Sequence, residues 1–117
     1  MTQDLALDRQ WVPSACTLPT AEQPLRVAEF DALFAEAVQS VARPELRRLS
    51  LELVFGPAAA ARAAELAARE NGCCSFFTFT LTIAGGSLAL EVAVPPEHLA
   101  VLDALQARAG AAAAAAA

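Results

Sequence analysis

The sequence predicts a single α+β domain in which helices cover one face of a small three-stranded mixed sheet. Two patterns predict it: some segments place apolar residues at helical spacing, and three others alternate between apolar and polar residues as strands do. A chain of 117 residues has room for one core. The expected order is α-β-α-β-β-α over residues 20–109, between an irregular segment at 1–19 and a low-complexity alanine tail at 110–117.

The first helix is predicted over residues 24–41, and Pro44 is expected to end it. Its apolar face is formed by Val27, Phe30, Phe34, Val38 and Val41. Residues 46–55 then alternate between leucine and polar residues, which predicts a strand with one wet side. Gly56-Pro57 ends this strand and begins an alanine-rich second helix.

The second helix is expected to stop at Asn71-Gly72, with the glycine in a left-handed conformation. Strands at 76–84 and 87–94 flank Gly85-Gly86, a typical hairpin turn, and Pro95-Pro96 starts the last helix. Threonines are expected to line the outer face of the sheet. The predicted core comprises Phe30, Phe34, Leu51, Leu53, Phe77, Phe79, Leu81, Leu90, Val92, Leu99 and Leu102.

Composition excludes several functional classes. The net charge is −5 and all eight basic residues are arginine, whereas a nucleic-acid binder needs a concentrated basic surface. No apolar run is long enough for a membrane span. The opening MTQDLALDRQ carries two aspartates and does not look like a signal peptide, so a cytoplasmic location is expected.

Three cysteines are the most informative residues for function. Cys73 and Cys74 are adjacent at the junction between the second helix and the second strand, and Cys16 lies in a proline-flanked segment. An odd count predicts reduced thiols rather than a disulfide framework. Irregular backbone at the junction would let the adjacent thiols converge, and Cys16 would supply a third sulfur under a cover formed by Trp11. Alternatively, all three are small buried apolar residues.

Three thiolates predict a site for a soft metal or metalloid ion such as Hg, Zn, Cu or As. Catalysis by a thiolate is disfavoured because a helix C-terminus carries partial negative charge. His98, at the start of a helix, is a weaker ligand candidate. Arg43, Arg47 and Arg48 fit either an anion site or a solvated surface.

The leading functional hypothesis is therefore a thiol-based binding or sensing domain. One rival is a metal-free module whose threonine face or sheet edge forms a homodimer or docks a partner. A further rival is a thiol enzyme acting on an organometal.

The segments CTLPTAEQPLRVAEFDALF and ENGCCSFFTFTLT resemble a C-terminal accessory region attached to some actinobacterial MerR-type metal-responsive regulators. The similarity runs from about Cys16 to Leu105, and its matching features are Cys16-Thr17-Leu18, Arg26, Cys73-Cys74 and Phe76-Phe77. It implies soft-metal or thiol-dependent sensing by association. Since no winged-helix module accompanies these segments here, DNA binding is not carried over. The thiol pair also resembles organomercury-cleaving enzymes, in which thiols act with a nearby carboxylate, but no carboxylate stands out for that role.

Overall fold

A computed structural model of the chain describes residues 23–116. Their elements are α1 (Gln23–Ala37), β1 (Val38–Glu45), β2 (Arg48–Leu53), α2 (Pro57–Cys73), β3 (Thr78–Ala84), β4 (Ser87–Ala93), a 3-10 turn (Pro96–His98) and α3 (Leu99–Ala116). The predicted α+β class is confirmed. The segment expected at residues 1–19, with Trp11 and Cys16, lies outside the described residues.

The sheet differs from the prediction in both size and direction. It has four strands in the order β1-β2-β4-β3, and each neighbouring pair is antiparallel. Thus it is neither three-stranded nor mixed. The strands predicted at 46–55, 76–84 and 87–94 are present with trimmed ends as β2, β3 and β4, and the additional strand is β1.

The additional strand arises where the sequence predicted the end of the first helix. Val38 pairs with Leu53 and Val41 pairs with Leu51, with an irregular register between Val38 and Ser40. Such a bulge places one extra residue in β1, so two valines three residues apart both align with core leucines. The same spacing marks a helix face, which explains the mistaken prediction. Pro44 is tolerated because β1 is an edge strand.

A single apolar cluster joins one face of the sheet to all three helices. Most of the predicted core is buried, while Phe79, Leu81 and Leu99 are half-buried against it. The fully buried side chains include Phe34, Leu49, Leu51, Leu53, Leu88, Leu90, Val92, Leu102 and Leu105. The opposite face carries exposed Thr78, Thr80 and Thr82, as predicted.

Arginine–carboxylate pairs connect the helices around this core. Arg108 of α3 donates two hydrogen bonds to Asp31 of α1, at 2.9 and 2.8 Å. Arg69 of α2 bonds Glu29 of α1 at 2.5 Å, and this hydrogen bond raises the pKa of Arg69 above its ordinary value. Arg62 of α2 also forms an ion pair with Glu36 of α1.

Arg43, one of the three arginines considered for an anion site, is held by protein groups. Its guanidinium lies 2.9 Å from Asp103 and donates to Gln106 and to the carbonyl of Leu46. Arg48 pairs with Glu45 at 3.5 Å. These contacts give Arg43 a structural role between β1 and α3.

Two helices run further than the sequence predicted. α2 continues through Gly72 to Cys73, and the described glycines with left-handed backbone are instead Gly85 and Gly86, at φ 58° and 75°. The left-handed stop expected at Gly72 is therefore wrong. α3 continues to Ala116, so the alanine run extends a helix whose Ala112 and Ala113 pack on the core. No helix within residues 23–116 is long and apolar enough to cross a bilayer.

The helical state of Gly72 predicts a stabilising substitution. Gly72→Ala should raise the free energy of unfolding by about 0.5–1 kcal/mol, because a helix interior favours alanine and nothing lies within 4 Å of the added Cβ. Gly86→Ala is the matched control and should cost about 1–2 kcal/mol, because its backbone is left-handed. Urea unfolding measures both. If Gly72→Ala destabilised the protein as much as Gly86→Ala does, α2 would have to end earlier.

Candidate metal centre

The C-terminal turn of α2 brings three potential ligands together. Glu70, Cys73 and Cys74 are related as i, i+3 and i+4, the spacing that places residues on one side of a helix. The amide of Cys74 donates to the carbonyl of Glu70 at 2.7 Å, which continues the helical hydrogen-bond pattern to Cys74. The side chains of these three residues therefore converge.

The three side chains lie at distances that suit a shared ion. The two sulfurs are 3.8 Å apart, and Cys73 Sγ lies 4.0 Å from Glu70 Oε2. All three ligand atoms lie within 4.8 Å of one another. Two thiolates bound tetrahedrally with ~2.3 Å bonds are about 3.8 Å apart, so the sulfur spacing fits such an ion.

The cluster is mostly shielded from water, with one accessible side. Cys74 is fully buried and Glu70 is 3 % exposed, whereas Cys73 is half-buried. The cluster also lies at the C-terminal end of α2, where the helix dipole is negative. Both the carboxylate and the dipole favour a cation there.

A short turn after the cluster connects it to the sheet. The side-chain amide of Asn71 donates a hydrogen bond to the backbone carbonyl of Phe77 at 2.8 Å. The backbone amide of Phe77 in turn donates to the backbone carbonyl of Cys74 at 3.3 Å. Phe76 stacks on His98 with ring centroids 4.1 Å apart. Within the described residues His98 does not belong to the ligand cluster, and its ring instead joins the start of α3 to this turn.

Cys74 corrects the expectation of three reduced thiols. It is disulfide-bonded, whereas Cys73 keeps its thiol. The predicted association of Cys16 with the pair involves a residue outside the described range. The structure thus presents the cluster in an oxidised form.

Glu70 is the site residue that the sequence analysis missed. Placing the helix stop at Gly72 removed Cys73 and Cys74 from the helix, so their relation to Glu70 was not considered. The signal was the spacing E-x-x-C-C, which puts a carboxylate and two thiols on one face once the helix is allowed to continue.

No protein-family model, curated protein or solved structure matches the chain. The resemblance to the MerR-associated region therefore stays an expectation from the sequence.

The hydrogen bond from Asn71 to Phe77 is expected to stabilise the turn after α2. Asn71→Ala should reduce the free energy of unfolding by about 0.5–1.5 kcal/mol, because the bond to the carbonyl of Phe77 is lost. Thr80→Ala, at an exposed position of β3, serves as the control and should change stability by less than about 0.5 kcal/mol. Thermal or urea unfolding measures the difference in the free energy of unfolding. Equal effects of the two substitutions would show that the hydrogen bond from Asn71 to Phe77 does not stabilise the turn.

Proposed function

We propose that this domain binds a soft metal or metalloid ion through Cys73 and Cys74, with Cys16 as a third thiolate and Glu70 as an oxygen ligand. The observation that supports it best is the convergence of two sulfurs and a buried carboxylate within 4.8 Å.

The ligand set determines the class of ion. Thiolates select Zn(II), Cu(I) and similar thiophilic ions over Mg²⁺ or Ca²⁺, which prefer all-oxygen sites. The thiophilic set includes Hg(II) and arsenite. A single carboxylate beside the sulfurs is compatible with Zn(II), which accepts both ligand types.

The metal ion would reach the cluster from its half-buried side, which is formed by Cys73. Binding requires thiolates, so an ion must displace the thiol protons and its affinity must fall at low pH. A receiving domain of this type fits the metal-sensing context implied by the MerR-associated resemblance, which remains part of the proposal.

Native mass spectrometry of the fully reduced protein tests this function. We expect one Zn(II) or Hg(II) per chain, and loss of that ion from Cys73→Ser. Glu70→Gln should weaken Zn(II) binding by about tenfold or more, since the loss of outer-shell partners alone costs roughly 10- to 100-fold. Glu65→Gln, an exposed carboxylate on the same helix, is the matched control and should bind as the wild type does.

Absence of any ion from the reduced wild-type protein would contradict metal binding. It would favour the metal-free module instead, with the cysteines as core residues. Exposed Phe55 and Ile83, at 55 % and 60 %, would then be the first positions to examine for a contact with a second copy.

Glu70 also supports a second candidate, cleavage of an organomercurial. A thiolate pair would hold the mercury of R–Hg⁺. The carboxylate of Glu70, whose oxygen lies 4.0 Å from Cys73 Sγ, would take up the proton that a thiol loses on binding mercury and deliver it to the carbon of R. The Hg–C bond breaks, R–H leaves, and Hg(II) stays on the two sulfurs. This carboxylate is the group that the sequence alone did not reveal.

Incubation of the reduced protein with phenylmercury separates the two functions. Cleavage should release benzene, detectable by gas chromatography, and Glu70→Gln should slow release by about 100-fold or more, the range of general-acid contributions. Mercury bound with the phenyl group intact in the wild type would exclude the enzymatic candidate and leave the binding function standing.

A further inference from the structure

The two edges of the sheet differ in how well they are protected from pairing with another strand. β1 forms one edge, and it carries two register irregularities together with Arg43, Pro44 and Glu45. Bulges, proline and charge are the devices that keep an edge strand from adding a further strand. β3 forms the other edge without any of them: its sequence TFTLTIA is uncharged, and all of its residues are in regular register with β4.

The hairpin register shows which backbone groups of β3 point to this edge. The two-residue turn Gly85-Gly86 fixes the hydrogen-bonded pairs between β3 and β4 at every second residue, and these pairs include the three threonines of β3. The amides and carbonyls of Phe79, Leu81 and Ile83 therefore point away from β4. No strand within residues 23–116 pairs with them.

The side chains of the same three residues lie on the helix side of the sheet and are incompletely covered. Phe79 and Leu81 are half-buried against the core, whereas Ile83 is 60 % exposed. At the other end of β3, a groove of about 340 Å³ separates the strand from α2. It is lined by uncharged side chains: Ala67, Ala68, Asn71, Phe77, Thr78 and Phe79. One end of β3 thus offers an apolar projection and the other end offers a groove.

These features match a second copy of the same strand. When two β3 strands run antiparallel about Leu81, Phe79 of each copy lies opposite Ile83 of the other. The paired residues are those whose backbone groups face the edge, so each pair can exchange two hydrogen bonds. Each Ile83 then lies over the groove beside the other copy's Phe79. On the outer face Thr80 lies opposite Thr82, and threonine pairs across strands are favourable.

The charge of the chain also favours this surface for a contact between identical copies. With a net charge of −5, two copies repel each other wherever acidic side chains meet. The residues of β3 and the lining of the groove carry no ionised side chain. Two copies can therefore meet there without bringing like charges together.

We propose that β3 is the dimerisation strand of this protein and pairs antiparallel with β3 of a second copy, in the register centred on Leu81. The main-chain hydrogen bonds supply the pairing, and the two four-stranded sheets become one continuous sheet. Ile83 of each copy is buried in the contact. This dimer requires no bound metal, so it stands independently of the proposed function.

Sedimentation equilibrium of the wild-type chain in the presence of a chelator tests the dimer. We expect a mass of twice 12.1 kDa both with and without reductant, which excludes a metal bridge and an intermolecular disulfide. Ile83→Lys should increase the dimer dissociation constant by about tenfold or more, because a two-fold contact loses the buried isoleucine twice. Leu46→Lys, at a 75 % exposed leucine in the turn between β1 and β2, is the matched control and should dimerise as the wild type does. Circular dichroism checks that both variants are folded.

Hydrogen exchange measured by NMR tests the register. The amides of Phe79, Leu81 and Ile83 should be protected in the dimer and should lose this protection on dilution. The amides of Thr80 and Thr82 bond to β4, so they should stay protected in the dilute sample as well. This alternation along one strand is specific to pairing at the β3 edge.

Several results would overturn the proposal. A wild-type protein that stays monomeric at NMR concentrations would exclude the dimer, and protected edge amides in that monomer would mean that another part of the chain covers β3. Equal weakening by Leu46→Lys and Ile83→Lys, or a dimer whose edge amides exchange freely, would place the contact on another surface. Metal binding by the cluster would remain standing after each of these results.

Discussion

The backbone hydrogen bond from Cys74 to Glu70 is the constraint on which the site depends. It closes the last turn of α2, beyond Gly72, and this turn with its C-cap residue Cys74 brings residues 70, 73 and 74 to one side. An extended backbone would have turned adjacent cysteines to opposite faces. A local choice between helix and loop at one glycine thus decides whether the thiols form a chelate.

The fold could be predicted from the sequence wherever one pattern had one structural meaning. Leucines at alternate positions of β2, and the Gly85-Gly86 turn between β3 and β4, each pointed to a single structure, and the structure agrees. β1 could not be predicted in this way, because a bulge gives Val38 and Val41 the spacing of a helix face. Only pairing with β2, which is a tertiary contact, distinguishes the two interpretations.

The candidate site shows the same limit. The two cysteines were recognisable by type, and their convergence was expected, but from an irregular loop rather than from a helix. Glu70 was hidden because acidic residues on helices are usually solvated, and its 3 % exposure follows from how α2 packs on the core. The disulfide state of Cys74 also could not be predicted, because an odd number of cysteines favoured reduced thiols.

The position of β4 has a consequence for the order in which the molecule assembles. β1 with β2, and β3 with β4, are two local hairpins, but β4 is the strand that joins them because it lies between β2 and β3. Hairpins close quickly, whereas a contact between distant segments is slower. During synthesis on the ribosome, the first hairpin and α2 emerge before residues 87–93 exist to bridge the two halves of the sheet. The nascent chain therefore presents its adjacent cysteines to oxidants and metal ions before the core that buries Cys74 has closed.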